Sequence, residues 1–331
     1  PEVEAVDLIC PEMDKHGQAQ GLSIPLPGDG SQRLALPGIS RTYARVRRIR
    51  PNIIVSATPG PYGLLGLYLS QKLNTDFCYG YHTQYDQLTR LYWKGLVGRI
   101  SSGFLSRMER FFMHRARVVL TNGRDMVQSA SDLGAKQIRL VGTPLDPRLL
   151  GPAREKKQAG AGPVLFVGRL AAEKNIPLLI EAAEQLADIP FVVAGTGPFR
   201  DVVQDAAARL DNLEYAGWVD RADLADLLDQ RCELLVLPSE MESFGTVAAE
   251  AMARQRMVLV SSRCGIADWP ELLPGLEIME PGQNLADRIR KILDMPVSRR
   301  LEKSRKAREC CRLFVQQTTS QWISVLRGGD P

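Results

Sequence analysis

The sequence predicts an α/β protein built from two parallel-sheet domains, and three observations carry this prediction. At 331 residues, the chain is longer than one hydrophobic core usually accommodates. Short apolar runs alternate with helical stretches along both halves, as in parallel sheets that are covered by helices on both faces. The polar stretch "LLGPAREKKQAGAGP", residues 149–163, is rich in Gly and Pro and predicts a linker between the halves.

Residues 1–148 form the predicted first domain, in which β-branched and apolar runs indicate strands and basic or apolar periodic stretches indicate helices. The predicted strands are Val3–Cys10, Ile53–Ala57, Asp76–Tyr81, Val118–Thr121 and Ile138–Val141. The predicted helices are Ser40–Arg50, Gly63–Leu73, a long region within 90–117, and 124–133. The stretches "TPGPYG" and "HTQYD" are loops that follow strands.

Residues 164–296 form the predicted second domain, where the alternation of strand and helix begins again. The predicted strands lie in "VLFV", "FVVAGTGP", "LEYAGWV", "CELLVLPS" and "MVLVSS". The predicted helices are Ile176–Leu186, 199–210, Asp223–Gln230 and Thr246–Arg254. Residues 297–331 are predicted to form C-terminal helices that cross back to the first domain.

Composition excludes several classes of protein. No apolar run reaches the roughly 18 residues of a membrane-spanning helix, and no secretory signal opens the sequence. Six scattered cysteines without CxxC spacing indicate reduced thiols in the cytoplasm rather than disulfides or a zinc site. Residues 1–150 hold 19 Lys and Arg against 12 Asp and Glu, whereas the rest hold 23 against 26. The basic first half favours an anionic partner there.

Ligands of such folds bind outside the carboxyl ends of the strands, so the loops that follow strands are the candidate site. In the second half these loops are "GRLAAEKN", "AGTGP", "GWVD" and "PSEMESFGT". The last loop opens a helix, and Glu250 lies about one turn inside it, so Glu242 and Glu250 can face one ligand. Amides at a helix start favour a phosphate, and Arg169 and Lys174 add cations. Hydroxyls on either side of a diphosphate would satisfy the carboxylates, and this composite ligand is a nucleotide sugar.

These stretches resemble a known family. "FVGRLAAEKNIPLLIEA", "VVAGTGP", "YAGWV" and "LPSEMESFGTVAAEAMA" are similar to the donor-binding domain of retaining glycosyltransferase family 4. "RIRPNIIVSATPGPYG", "YHTQYDQL" and "RVVLTNGRDMVQSASDLGAKQIRLVGTPLD" extend the resemblance upstream, so that it covers nearly the whole chain. It implies the GT-B architecture, in which two Rossmann-like domains face a cleft, and a hexose transfer with retention that needs no metal and no cofactor.

The resemblance also assigns roles, position by position. Arg169 and Lys174 would bind the donor diphosphate, Glu250 the ribose hydroxyls, and Glu242 the hydroxyls of the transferred sugar. His82 matches the family's active-site histidine. The remaining donor-binding residues implied are Gly168, Gly195, Gly197, Phe244, Gly245 and Thr246, the last three through their backbone. Each has a plainer interpretation: a loop histidine, solvated cations, turn glycines, and acids that favour a helix start.

The region 90–117 carries seven Arg and Lys against one Glu, interleaved with five aromatic residues. Such a helix is a candidate for peripheral contact with an anionic membrane, at the inner face if the protein is cytoplasmic. The alternative is a helix packed on its own sheet with its arginines in water. The expected acceptor is therefore a lipid or a glycan, and nucleic-acid binding is not expected because no such module is recognisable.

Two departures from the family keep other functions open. The glycine-rich loop that usually follows the family's first strand is not recognisable, because Val3–Cys10 resembles the second strand; the first domain is expected to lack that strand and loop. In "SSRCGIADWPE", Cys264-Gly265 and Asp268 occupy the places of a Gly-Gly pair and a glutamate. A non-catalytic nucleotide-sugar-binding protein, an epimerase and a phosphorylase remain alternatives. The absence of a G-x-G-x-x-G after a strand disfavours a dehydrogenase.

Overall fold

The computed structural model describes residues 3–11, 23–26, 29–84, 95–153 and 162–327. It divides into two compact units. The first consists of Pro1–Val141 with Thr319–Pro331, and the second of Gly142–Thr318. The predicted α/β class is confirmed, because each unit contains a sheet of parallel strands with helices between them.

In the first unit, strands and helices alternate after an antiparallel hairpin. The strands are β1 (Ser23–Leu26), β2 (Asp29–Ala35), β3 (Ile53–Ser56), β4 (Asp76–Tyr81), β5 (Val118–Thr121) and β6 (Ile138–Leu140). The helices are α1 (Ile39–Ile49), α2 (Pro61–Leu73), α3 (Gly95–Met113) and α4 (Arg124–Asp132). The parallel sheet has the order β3-β4-β5-β6.

In the second unit, the strands are β7 (Val164–Val167), β8 (Phe191–Ala194), β9 (Leu213–Gly217), β10 (Leu234–Leu237), β11 (Met257–Ser261) and β12 (Glu277–Met279). The helices are α5 (Ile176–Gln185), α6 (Arg200–Arg209), α7 (Leu224–Arg231), α8 (Thr246–Ala253), α9 (Leu285–Leu293) and α10 (Val297–Leu326). The sheet has the order β12-β11-β10-β7-β8-β9, and its strands run parallel. Strands β8, β10 and β11 are buried along their whole length, as their continuous apolar sequences require.

The strand order of the second sheet reverses between β7 and β10. From β7 the chain adds β8 and β9 on one side, and it then returns to add β10, β11 and β12 on the other. The loops that leave the carboxyl ends of β7 and β10 therefore diverge and leave a crevice between them. This point of reversal is where ligands of open parallel sheets bind.

Helix α10 runs from the second unit into the first. Its last turns bring Trp322 and Val325 onto a core cluster of the first sheet, formed by Cys78, Val118, Leu120 and Val141. The prediction placed C-terminal helices here that return to the first domain, and the structure has one continuous helix instead.

The predicted strand Val3–Cys10 is wrong. The described residues 3–11 contain no strand, and Val6 and Leu8 are more than three quarters exposed. An apolar run becomes a strand only where a neighbour pairs with its backbone. Here Ile9 packs with α1 and α2, and Asp7 forms an ion pair with Arg45, so helices hold this segment instead of a sheet.

The six cysteines, all within the described residues, form no disulfide. Among the helices that the structure describes, none combines the length and the apolar character that a membrane crossing requires.

Candidate functional site

The loops after β7 and β10 diverge around the crevice, but backbone hydrogen bonds join them at one place. The backbone amides of Glu240 and Met241 both donate to the carbonyl oxygen of Glu173, at 2.8 and 3.3 Å. These bonds tie the two loops together across the crevice. They also fix the position of the residues on either side, including Lys174 and Glu242.

Lys174 and Glu242 form an ion pair at this point. The Lys174 Nζ donates to the Glu242 Oε2 at 2.5 Å, and the two side chains are 15% and 19% exposed. The structure therefore brings together two residues that are 68 positions apart and that the sequence assigned to one ligand. Both remain reachable from solvent, so a ligand with an anionic and a hydroxyl-bearing part can share them.

Arg169 lies on the same loop and has a partner that the sequence analysis did not single out. Its guanidinium bonds to the carboxylate of Glu173, whose side chain is only 5% exposed. A buried carboxylate holds a guanidinium firmly, because charge-assisted bonds are strong where water is excluded. Arg169 is thus held in the loop, five positions before Lys174.

Helix α8 begins at the crevice. Gly245 precedes it with φ of 86°, a backbone conformation that residues with a side chain rarely adopt. A Cβ at this position would also lie 2.7 Å from the Cys264 Sγ. The first amides of a helix have no partner within the helix, so they and the helix dipole attract an anion. Thr246 and the backbone of Gly245 are therefore at the position expected for a phosphate site.

Phe244 anchors this helix start by packing on two other aromatic side chains. Its ring is buried, stacks on Phe314 at 5.4 Å between centroids, and meets Trp269 edge-on at 6.3 Å. The predicted contribution of Phe244 was a backbone contact to the donor, which stays a prediction. Its side chain serves the packing of α8 against α10.

Glu250 lies inside α8 with a side chain only 2% exposed, yet it has a cationic partner. The Arg221 Nη2, from the segment between β9 and α7, donates to the Glu250 Oε1 at 2.7 Å. Burial raises the pKa of Glu250, while the charge of Arg221 and its hydrogen bond oppose that rise. The ribose contact of Glu250 stays a prediction, and the carboxylate that would make it is already bonded to Arg221.

Gly195 and Gly197 have a structural reason that does not depend on any ligand, whereas a Cβ on Gly168 would meet Phe166 at an ordinary distance of 3.5 Å. A Cβ on Gly195 would lie 1.8 Å from the Gly168 carbonyl oxygen, and one on Gly197 would lie 2.5 Å from that of Leu170. The missing side chains let the loops after β7 and β8 pack backbone to backbone. Contact of these glycines with a donor stays a prediction.

His82 lies in the first unit, directly after β4. Its ring packs over Gly80, where a Cβ would lie 2.7 Å from the His82 Nε2. Burial lowers the pKa of His82, and a side-chain hydrogen bond with Asn122 opposes this only in part. The imidazole is therefore neutral at pH 7. The neighbouring residues 85–94, which contain the rest of "YHTQYDQL", lie outside the described residues.

Cys264 and Gly265, which replace the family's Gly-Gly pair, support the Glu242 loop. The Gly265 amide donates to the Glu242 carbonyl oxygen at 2.8 Å, and a Cβ on Gly265 would lie 2.0 Å from the Ser243 carbonyl oxygen. Complete burial raises the pKa of Cys264 well above its usual value, so its thiol stays protonated. The glycine is required for this close packing, whereas the cysteine fills the space beside Gly245.

Each acid of "EMESFGTVAAE" thus has a different cation, and the sequence analysis missed two of these cations. Glu240 pairs with Arg263, Glu242 with Lys174, and Glu250 with Arg221. Glu240 is half exposed. Neither Arg221 nor Arg263 lies at a helical spacing from its partner, so no periodic signal in the sequence could have identified these pairs.

Two family models match adjacent parts of the chain. The model described as Glycosyltransferase Family 4 matches residues 5–149, and the model described as Glycosyl transferases group 1 matches residues 152–309.

Similar proteins carry related names. A 2-deoxystreptamine glucosyltransferase of Streptomyces kanamyceticus is 30% identical over 60% of this chain and 57% of its own length. An alpha-monoglucosyldiacylglycerol synthase of Streptococcus pneumoniae is 26% identical over 70% of this chain and 56% of its own length. The chain thus spans little more than half of these relatives.

Solved structures share the fold. A sucrose-phosphate synthase of Thermosynechococcus elongatus superposes with a TM-score of 0.67 at 21% identity, over 88% of this chain and 78% of that chain. The Anabaena protein HepE, solved in complex with UDP and glucose, superposes with a TM-score of 0.67 at 17% identity, over 87% of this chain and 80% of its own.

Proposed function

Because these two family models together match most of its length, the chain belongs to the GT-B glycosyltransferases of the family 4 type, and we propose that it transfers a hexose from a nucleoside-diphosphate sugar to an acceptor hydroxyl with retention. The acceptor we expect is a lipid or a glycan. We further expect the reaction to need no metal ion, because cationic side chains are available at the donor site.

The observation that carries the proposal is the Lys174–Glu242 pair at the start of α8, where the strand order reverses. A diphosphate bound there would take the amides of the helix start and displace Glu242 as the partner of Lys174. Arg169 would add a second cation. Glu242, once released, would accept hydrogen bonds from the hydroxyls of the sugar. One ligand class, a nucleotide sugar, satisfies all these groups.

The chemistry follows from where charge develops. As the bond from the sugar to the diphosphate breaks, negative charge accumulates on the leaving phosphate, and fixed cations and helix amides stabilise it most at that moment. In the front-face mechanism that the family resemblance implies, the acceptor hydroxyl attacks on the side of the leaving group, and a phosphate oxygen takes its proton. His82, being neutral, would hydrogen-bond to the transferred sugar rather than pair with the diphosphate.

A lipid acceptor is supported by one face of α3. Along this helix and its end, the exposed residues include Arg99, Phe104, Arg107, Arg110, Phe111 and Arg115. Basic and aromatic side chains that share one exposed face suit the surface of an anionic membrane. In addition, one relative is named as a diacylglycerol glucoside synthase. The protein would then act at the inner face of the membrane. Arg90, Tyr92, Trp93 and Lys94, which belong to the same predicted region, lie outside the described residues.

A thermal-shift screen tests the proposed function. The protein is heated with the diphosphates of uridine, adenosine, guanosine, cytidine and thymidine, and with nucleotide sugars of each base. We expect one base to raise Tm, because a ligand that binds only the folded state stabilises it. The anomeric form of the product made with that donor then tests retention. No shift with any member of the panel would contradict the proposal.

A further inference from the structure

Arg221 is the partner of the buried acid in α8, and it was not among the predicted site residues. Its side chain is 55% exposed, whereas that of Glu250 is 2% exposed, so the guanidinium reaches from the surface to a buried carboxylate. The Arg221 Nε also lies 4.0 Å from the Asp146 Oδ2. Asp146 in turn bonds Arg148, with the Arg148 Nη2 at 2.6 Å from the Asp146 Oδ2. These four residues form a row of alternating charge that ends at Glu250.

The other cations near Glu250 have partners of their own. Arg254, one turn later on α8, bonds Asp229 with its Nε at 2.9 Å from the Asp229 Oδ1. Lys174 is held by Glu242. Arg221 is therefore the cation on which the charge of Glu250 depends. A buried carboxylate that loses its partner is costly to ionise and takes up a proton instead.

The remaining groups that face Glu250 do not replace Arg221. Asp146 is negative, and the hydrogen bonds from Arg148 lower its pKa to about 2, so it stays charged throughout the working range and disfavours a second negative charge nearby. The Cys311 thiol, from α10, has its pKa raised by burial to about 12 and stays neutral. Arg254 faces Asp229.

The geometry assigns to Arg221 the role of a positioning residue for the donor. Its guanidinium holds Glu250 in place and in the charged form, so that the other oxygen of that carboxylate can accept hydrogen bonds from the ribose hydroxyls. This inference rests on the proposed function, since it presumes a nucleoside diphosphate at the start of α8. It adds a residue from the segment after β9 to the donor site.

Calorimetric titrations of UDP, ADP, GDP, CDP and TDP into the wild type and Arg221→Met test the inference, at pH 8 and pH 6. Arg263→Met is the matched control, because Arg263 is 58% exposed and pairs with an acid, Glu240, that is itself half exposed. Pyrophosphate is titrated in parallel as a ligand without ribose. Arg221→Lys, Glu250→Gln and the double variant Arg221→Met/Glu250→Gln complete the set.

We expect Arg221→Met to weaken binding of the preferred nucleoside diphosphate about tenfold at pH 6, since hydrogen bonds to charged groups are at stake. Without Arg221 the pKa of Glu250 rises further, so the carboxylate is lost at a higher pH on acidification. The loss of affinity is therefore smaller at pH 8. Arg221→Lys restores most of the binding, pyrophosphate binding changes little, and Arg263→Met matches the wild type.

In the Glu250→Gln background, Arg221→Met has no further effect on the pH profile, because the group that titrates is gone. Unchanged affinity at both pH values, or tighter binding by Arg221→Met because Arg221 competes with the ribose, contradicts the inference alone. A folded wild type that binds none of the five nucleotides contradicts the inference and the proposed donor class together. Circular dichroism shows that each variant is folded.

Discussion

At the scale of residues, the candidate site is held by contacts that allow little substitution. Gly195 is the clearest case, with φ of 140° and no room for a Cβ beside the Gly168 carbonyl oxygen. The same absence of a side chain fixes where the loops after β7 and β8 run. The loop after β7 carries Arg169. Gly195 has no functional side chain, but it fixes the path of this loop and so positions Arg169.

Gly195→Ala is expected to destabilise the second unit by about 3 kcal/mol or more, because backbone strain and a clash with a fixed carbonyl act together. Gly282→Ala is the matched control, since Gly282 also has a positive φ, of 83°, but has open space at its Cβ position. Its cost should be only the strain, about 1–2 kcal/mol. Differential scanning calorimetry compares the two, and equal shifts in Tm would show that the close approach of the loops is unimportant.

At the scale of elements, α8 and α3 have different tasks. The amino end of α8 follows the loop that carries Glu242, and its body packs against the sheet through small buried residues. Helix α3 buries Phe112 and Met113 in the core of the first unit and leaves Phe104 and Arg107 in water. The described exposed face of α3 presents basic and aromatic side chains, and the partner proposed for it is therefore an anionic membrane surface.

The membrane proposal predicts that the double variant Phe104→Ala/Arg107→Glu loses binding to vesicles that contain anionic lipid. Each basic residue near such a surface contributes about 1 kcal/mol, and reversal of a charge roughly doubles the effect. Arg305→Glu, an exposed position on α10, is the charge-matched control and should bind like the wild type. Co-sedimentation with vesicles of phosphatidylglycerol and phosphatidylcholine measures this. Equal sedimentation of all three proteins would contradict membrane contact through α3.

The elements that the sequence predicts best are strands that are buried along most of their length. Asp76–Tyr81, Val118–Thr121 and Val164–Val167 match the structure to the residue, since a continuous apolar run between turns has few other conformations in an α/β protein. Val3–Cys10 is also largely apolar, but none of the described strands pairs with it. Whether a segment finds a strand to pair with depends on residues that are distant in the sequence, so the local sequence does not reveal it.

Part of the candidate site could be predicted from the sequence, because some of its residues directly follow strands. Lys174, Glu242 and the helix start at Gly245 follow strands in the sequence, so their meeting at one sheet edge could be inferred from topology. Arg221 and Arg263 reach their partners across loops whose paths the sequence does not specify. The hairpin Ser23–Ala35 also escaped prediction, because its strands have neither an apolar run nor a regular alternation.

At the scale of the whole molecule, the account makes the second unit the binding site of the donor. Its sheet reverses strand order where the loops with Arg169, Lys174 and Glu242 leave it, and α8 begins at the same point. The first unit contains His82 and the exposed face of α3, whose roles toward the sugar and a lipid surface are proposals. The central claim is therefore that a nucleoside diphosphate binds at Lys174.

Calorimetric titration of the preferred nucleoside diphosphate into the wild type, Lys174→Ala and Glu242→Gln tests this claim most directly. We expect Lys174→Ala to bind at least about tenfold more weakly, because a charge-assisted contact to a phosphate is lost. Glu242→Gln should keep or improve the affinity for the diphosphate while its turnover of the nucleotide sugar falls, since it frees Lys174 and removes a sugar contact. Wild-type affinity in Lys174→Ala would contradict the account and place the donor elsewhere.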